Sequence, residues 1–167
     1  MSSLLTYLGL LTLLLAGCAP QPNPKNYTLT APQADALAGT YHATESTKTL
    51  IAATGKYESK PASITLHADG SIEILNLPDC WIHAFNSALG LFDTGKGTWS
   101  IVRQQQWHVL MCKFPSLPNH ASSGPEHGVV TAMISIVGQE APYALESIIS
   151  HPDADLAMRF EKVPSAP

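Results

Sequence analysis

The feature that most constrains the fold is a period-two stretch broken by Asp69-Gly70. Ile64 and Leu66 alternate with Thr65 and His67 before the break, and Ile72 and Ile74 flank Glu73 after it. Successive side chains of a strand point to opposite faces, so each arm carries one apolar and one polar face. Asp-Gly supplies the positive-φ residues that a two-residue turn requires, and the segment is expected to be a β-hairpin. A slip of one residue would put Thr65 and Glu73 inside, and an unpaired buried charge costs several kcal/mol, so the register is strongly specified. Further strands are expected over residues 48 to 53, 97 to 103, 106 to 114, 129 to 137, 143 to 149 and 156 to 163. In the last, Leu156, Met158 and Phe160 share one face while Arg159 and Glu161 take the other.

With one more strand near Tyr41 the total is about nine, after a single helical turn over residues 34 to 38. The longest connections span residues 76 to 96 and 115 to 128. The second is rich in Pro, Ser, Gly and His and reads as a surface loop. In the first, Trp81, Phe85, Leu89 and Phe92 recur at helical spacing after Pro78-Asp79. A short amphipathic helix near residues 80 to 90, capping the sheet, is the plain expectation; an aromatic ligand clamp is the sharper alternative. The fold class is all-β, an antiparallel meander closing into a barrel, with Ile64, Leu66, Ile72, Ile74, Met158 and Phe160 on its inner face.

Ahead of these strands, an uncharged apolar run from Leu4 ends in Leu15-Ala16-Gly17-Cys18 and opens onto Ala19-Pro20-Gln21-Pro22. Residues 4 to 16 have the length of a signal-peptide apolar region and fall short of the roughly 20 residues of a membrane-spanning helix. The four residues ending in Cys18 resemble the lipobox of bacterial lipoproteins, cut by signal peptidase II before the cysteine. The resemblance implies a signal peptide over residues 1 to 17 and lipidation of Cys18. Met1-Ser2-Ser3 departs from the usual pattern in lacking Lys and Arg. The two or three acyl chains of such a protein give stable anchoring at about 0.8 kcal/mol per buried methylene. Ala19, where an Asp favours inner-membrane retention in the family, implies the outer membrane, facing the periplasm, for a Gram-negative source.

Residues 18 to 33 are expected to be an extended tether, because Pro20, Pro22, Pro24 and Pro32 stand among few large apolar side chains. The remaining 34 to 167 suffice for one domain. A formal net charge of -4 and a pI near 5.9 argue against a nucleic-acid partner, which needs a basic footprint.

Leu37-Ala38-Gly39-Thr40-Tyr41, following a helical turn, is similar to the opening of lipocalin-like domains, where a Gly-x-Trp leads into the first strand. Tyr41 stands at the Trp position. Gly97-Thr98-Trp99, and His151-Pro152-Asp153 ahead of residues 156 to 162, resemble features of small β-barrel lipoproteins of bacteria. The likeness covers residues 37 to 163 and implies a lipocalin-like barrel.

Candidate chemistry is sparse. Cys80 and Cys112 remain once Cys18 is lipidated, an even number in an oxidising compartment, so a disulfide is expected, with about 3.7 kcal/mol from closing its loop. Two buried thiols, or a metal site using Cys80, His83 and Cys112, are the alternatives; only half of a paired zinc motif is present. His120 and His127, beside Glu126, invite a metal reading, yet no His-x-His or His-Glu-x-x-His spacing occurs, and solvated loop histidines are expected. Residues 90 to 97 nearly match a phosphate-binding loop but have Gly97 at the hydroxyl position and a strand after it, so residues 93 to 97 read as a turn. With no nucleophile elbow and no acid/base pair at local spacing, neither catalytic residues nor cofactors are expected. The function expected is a non-enzymatic, membrane-anchored cell-envelope lipoprotein binding a small apolar ligand or an envelope partner. The alternative is a periplasmic inhibitor or protective lipoprotein acting on a hydrolase such as lysozyme or a peptidase, with the loop of residues 115 to 128 as its inhibitory element.

Overall fold

The computed structural model describes residues 26–82, 88–120, 129–149 and 156–164. The hairpin and its register form as expected: β2 (Ser63–Leu66) pairs antiparallel with β3 (Ser71–Pro78), with Ile64 opposite Ile74 and Leu66 opposite Ile72. The turn is longer than two residues, because His67 bonds to Ser71 across Ala68-Asp69-Gly70, and of these three only Gly70 takes a positive φ. Around it lie α1 (Ala34–Leu37), β1 (Gly39–Ala43), α2 (Glu45–Ala53), β4 (Phe92–Gln104), β5 (Trp107–Phe114), β6 (Val130–Val137), β7 (Ala144–Ile148) and β8 (Ala157–Lys162). The strands pair in sequence order, and β1 closes on β8 through Tyr41 opposite Lys162. The fold is a closed eight-stranded antiparallel barrel of lipocalin-like type.

The six residues assigned to the inner face are all buried. Tyr41, Leu110, Phe114, Ile134, Ile136 and Leu145 join them, each below 2% exposure. The interior is packed with the chain's own groups, as a small barrel allows. Tyr41, fully buried, donates its hydroxyl to the Leu37 carbonyl at 2.7 Å. Outside, Glu73 faces Lys96 across β3 and β4 at 2.7 Å.

A bulge reshapes β3. Ile74 pairs with Gly95 and Leu77 with Asp93, so Leu75 and Asn76 oppose Thr94 alone. Asn76 takes a positive φ of 50°, and the extra residue reverses the facing: Leu77 turns inward while Leu75 is exposed. Beyond the bulge, a Cβ at Gly97 would collide with the Lys113 carbonyl, and one at Gly95 would meet Leu117 at 2.7 Å. Gly97 lets β4 run close against the end of β5, and Gly95 against the segment that follows it.

Four expectations need correction. Residues 48 to 53 belong to helix α2, leaving eight strands. Thr44 caps this helix by accepting from the Thr47 amide, Glu45 lies in its first turn, and Ile51 buries against the barrel. Residues 93 to 97 are strand within β4. The helix expected near residues 80 to 90 is, where described, a three-residue 3₁₀ turn, Asp79–Trp81, with Leu89 72% exposed; Phe85 lies outside the described residues. Part of the stretch expected as a tether, residues 26 to 28, is docked on the barrel. Tyr27 and Thr28 are 6% and 0% exposed, because the Thr28 amide donates to the Ile136 carbonyl and the His108 amide to the Thr28 carbonyl. Tyr27 bridges Val137, packs on Trp107 and donates to Glu146 at 3.1 Å. One large apolar side chain, Tyr27, sufficed to dock the segment because strand-type hydrogen bonds formed with it.

Candidate functional site

The barrel has two unlike ends. One carries the β2–β3, β4–β5 and β6–β7 turns and receives the N-terminal segment. The other carries α2, the Asp79–Trp81 turn and the segment after β5, and is closed by a buried polar cluster.

Two aspartates organise that plugged end. Pro78 ends β3 at φ -58°, ψ 135° and throws the chain into the Asp79–Trp81 turn. Asp79 is buried and accepts from the Tyr57 hydroxyl at 2.6 Å and the Leu89 amide at 2.7 Å. Trp81 stacks edge-on against Phe114, with ring centroids 5.7 Å apart. Its indole Nε1 donates to Asp93 Oδ2 at 2.9 Å. Asp93, 0% exposed in β4, also takes Asn119 Nδ2 at 3.2 Å and lies 2.6 Å from His120 Nε2. Asn119 reaches the Phe92 carbonyl as well, at 2.9 Å. A buried carboxylate is tolerable only with such partners, since its desolvation otherwise costs several kcal/mol. The pair fixes the base of the loop following β5 to the β4 wall.

His120 was expected as a solvated loop histidine; its side chain is instead 3% exposed and paired with Asp93. Neither loop composition nor spacing signals this, because the partner lies 27 residues away. The sequence reading also missed Tyr57, Asp79, Asp93 and Asn119; the one available hint was an aspartate within the apolar run Leu91-Phe92-Asp93.

The expected Cys80–Cys112 disulfide is not formed, and both cysteines are buried free thiols. Cys112 points inward from the middle of β5, between Trp99 on one neighbouring strand and Ala132 on the other. Cys80 sits in the Asp79–Trp81 turn and is 1% exposed. An even cysteine count fixes no geometry, whereas a bridge needs close Cα atoms and convergent Cβ vectors. Burial pushes the Cys80 thiol up to about 11 and the Cys112 thiol up to about 12. At neutral pH both sulfurs are protonated, and the thiolate is the form that attacks carbon or binds metal. Burial, with the hydrogen bond to Asp79 next, also holds the Tyr57 phenol far above its ordinary value.

Among the described residues no three His, Cys, Asp or Glu side chains lie together as a metal site. Cys18, His83, Glu126 and His127 lie outside the described residues, as does His151-Pro152-Asp153. Lys96, of the near-miss phosphate loop, is bound to Glu73, and no helix follows it.

Two hollows flank the plug. A cavity of about 40 Å³ lies between α2 and the barrel, against Ile51, Tyr57, Phe92 and Phe160. A lateral cleft of about 340 Å³ is lined by Trp81, Ile82, Met133 and Ile148 among others. It opens where β6 and β7, paired only from Ser135 to Val137 on the β6 side, part from one another. The smaller is the size of a water or two; the larger is wide enough for a side chain from outside. No family model matches this chain, and neither does any curated protein or solved structure.

Proposed function

We propose that the chain is a membrane-anchored cell-envelope lipoprotein, non-enzymatic, that engages an envelope partner through the plugged end of its barrel. The observation that carries this reading is the packed interior: the inward residues below 2% exposure leave no ligand-sized space against them. A small apolar ligand held inside a lipocalin-like barrel needs a cavity of several hundred Å³ lined by such residues. Contact from outside is supported by Leu89 and Leu91, exposed on the connection between β3 and β4, and by the lateral cleft with Met133 and Ile148. The anchor rests on the resemblance of Leu15-Ala16-Gly17-Cys18 to a lipobox.

The inhibitor reading has one observation in its favour. Asn119 and His120 pin the base of the loop after β5 to Asp93, the kind of rigid footing an inhibitory loop requires. Native mass spectrometry of the protein purified from its own membrane tests the choice. A co-purifying protein or cell-wall fragment supports the proposal, a bound lipid-sized molecule sinks it, and a captured hydrolase selects the inhibitor. Cys18→Ala is expected to release the protein from the membrane; unchanged fractionation, with no acyl mass on the N-terminal peptide, refutes the anchor.

A further inference from the structure

The early docking of the N-terminal segment fixes which end of the barrel meets the lipid. The Gly138 amide donates to the Asn26 carbonyl at 2.8 Å, and Gln139 Nε2 donates to the Tyr27 carbonyl at 2.7 Å. With the Thr28 bonds, these clamp residues 26 to 28 to the rim formed by the β6–β7 loop and the start of β5. Eight residue steps separate Cys18 from Asn26. At about 3.1 Å per step in the extended conformation that prolines favour, the tether reaches ~25 Å.

We infer that the rim carrying the β6–β7 loop faces the headgroups of the anchoring membrane, so that the plugged end, with Asp79, Asp93 and His120, is held away from it and meets a partner in the aqueous space. This rests on the lipidation of Cys18. A strand the length of β6, eight residues long, spans roughly 20 Å of barrel height once tilted. To turn the plug toward the lipid, the tether would have to run that height and around the barrel wall, using nearly its full reach. A chain pulled so taut forfeits conformational entropy, whereas the rim-down arrangement leaves it slack.

The test uses the full-length lipidated protein in phosphatidylcholine vesicles containing lipids with a nitroxide on the headgroup. A fluorophore is placed on Glu140→Cys at the rim or on Glu58→Cys at the plugged end, both exposed, while Cys80 and Cys112 stay buried. Quenching severalfold stronger at residue 140 than at residue 58 is expected. Inserting a long Gly-Ser segment between Gln21 and Pro22 should bring the two values together. A protein that does not float with the vesicles overturns the anchor and the orientation together. One that floats while quenching both probes equally, or residue 58 more strongly, overturns the orientation alone.

Discussion

Replacing Asp93 with alanine should be among the most destabilising single changes in the barrel. The carboxylate is fully buried and faces Trp81 Nε1, Asn119 Nδ2 and His120 Nε2. Its loss strips the acceptor from the Trp81 indole, in a residue 4% exposed, and from the nitrogen of a histidine side chain 3% exposed. A buried donor left unsatisfied costs about 1–3 kcal/mol, so stripping the acceptor from both groups with Asp93→Ala should cost about 2–6 kcal/mol in total. Urea unfolding followed by far-ultraviolet circular dichroism measures this; with a slope of about 2 kcal/mol/M the midpoint should fall by about 2 M. His120→Ala, and the double variant, complete a cycle in which the coupling should exceed about 1 kcal/mol, because the two groups share one interaction. A loss below about 1 kcal/mol for Asp93→Ala, or additivity within about 0.5 kcal/mol, would refute the claim that this pair fastens the loop to the wall.

Ile74→Asp should unfold the domain by placing a charge in the barrel interior, while Glu73→Gln one position away should shift stability by less than about 1 kcal/mol; equal melting of the two would contradict the register. Gly97→Ala should cost about 1–3 kcal/mol, since its methyl group would strike the Lys113 carbonyl, and an unchanged urea midpoint would show that β4 does not pass so closely. The Cys112 thiol is held up to about 12 by burial, whereas an unfolded thiol ionises near 8.5. Its contribution is therefore full below about pH 8.5 and is lost as the pH rises toward 12. Cys112→Ala should flatten part of the stability decline over that window, and an identical slope would count against the buried thiol.

What could be read in advance was what local chemistry encodes. Asp69-Gly70 between alternating arms specified the hairpin and the inner face, because turn and periodicity are properties of neighbouring residues. Residues 48 to 53 misled because Leu50 and Ile51 suit a short strand as well as a helix, and the deciding group, Thr44, lies outside the apolar run. The polar plug was illegible for a different reason. Tyr57 and Asp79 are 22 residues apart, and Asp93 and His120 are 27 apart; the tertiary packing of separate elements brings each pair together. The disulfide failed on the same ground, since counting cysteines says nothing about where the wall of a barrel will hold them.

The meeting of β1 with β8 has a consequence in time. Tyr41 pairs with Lys162, and Ala43 with Phe160, so the ring of hydrogen bonds is completed by β8, the last strand among the described residues. A polypeptide made from its N-terminus exposes the free edge of β1 until β8 emerges, and contacts so distant in sequence form slowly. Throughout that interval β1 and the growing final strand are both open to foreign strands, a liability that closure then removes. Loss of the last half-dozen strand residues would leave two permanent edges, with Met158 and Phe160 missing from the interior, and the product would be an aggregation-prone sheet instead of a smaller barrel.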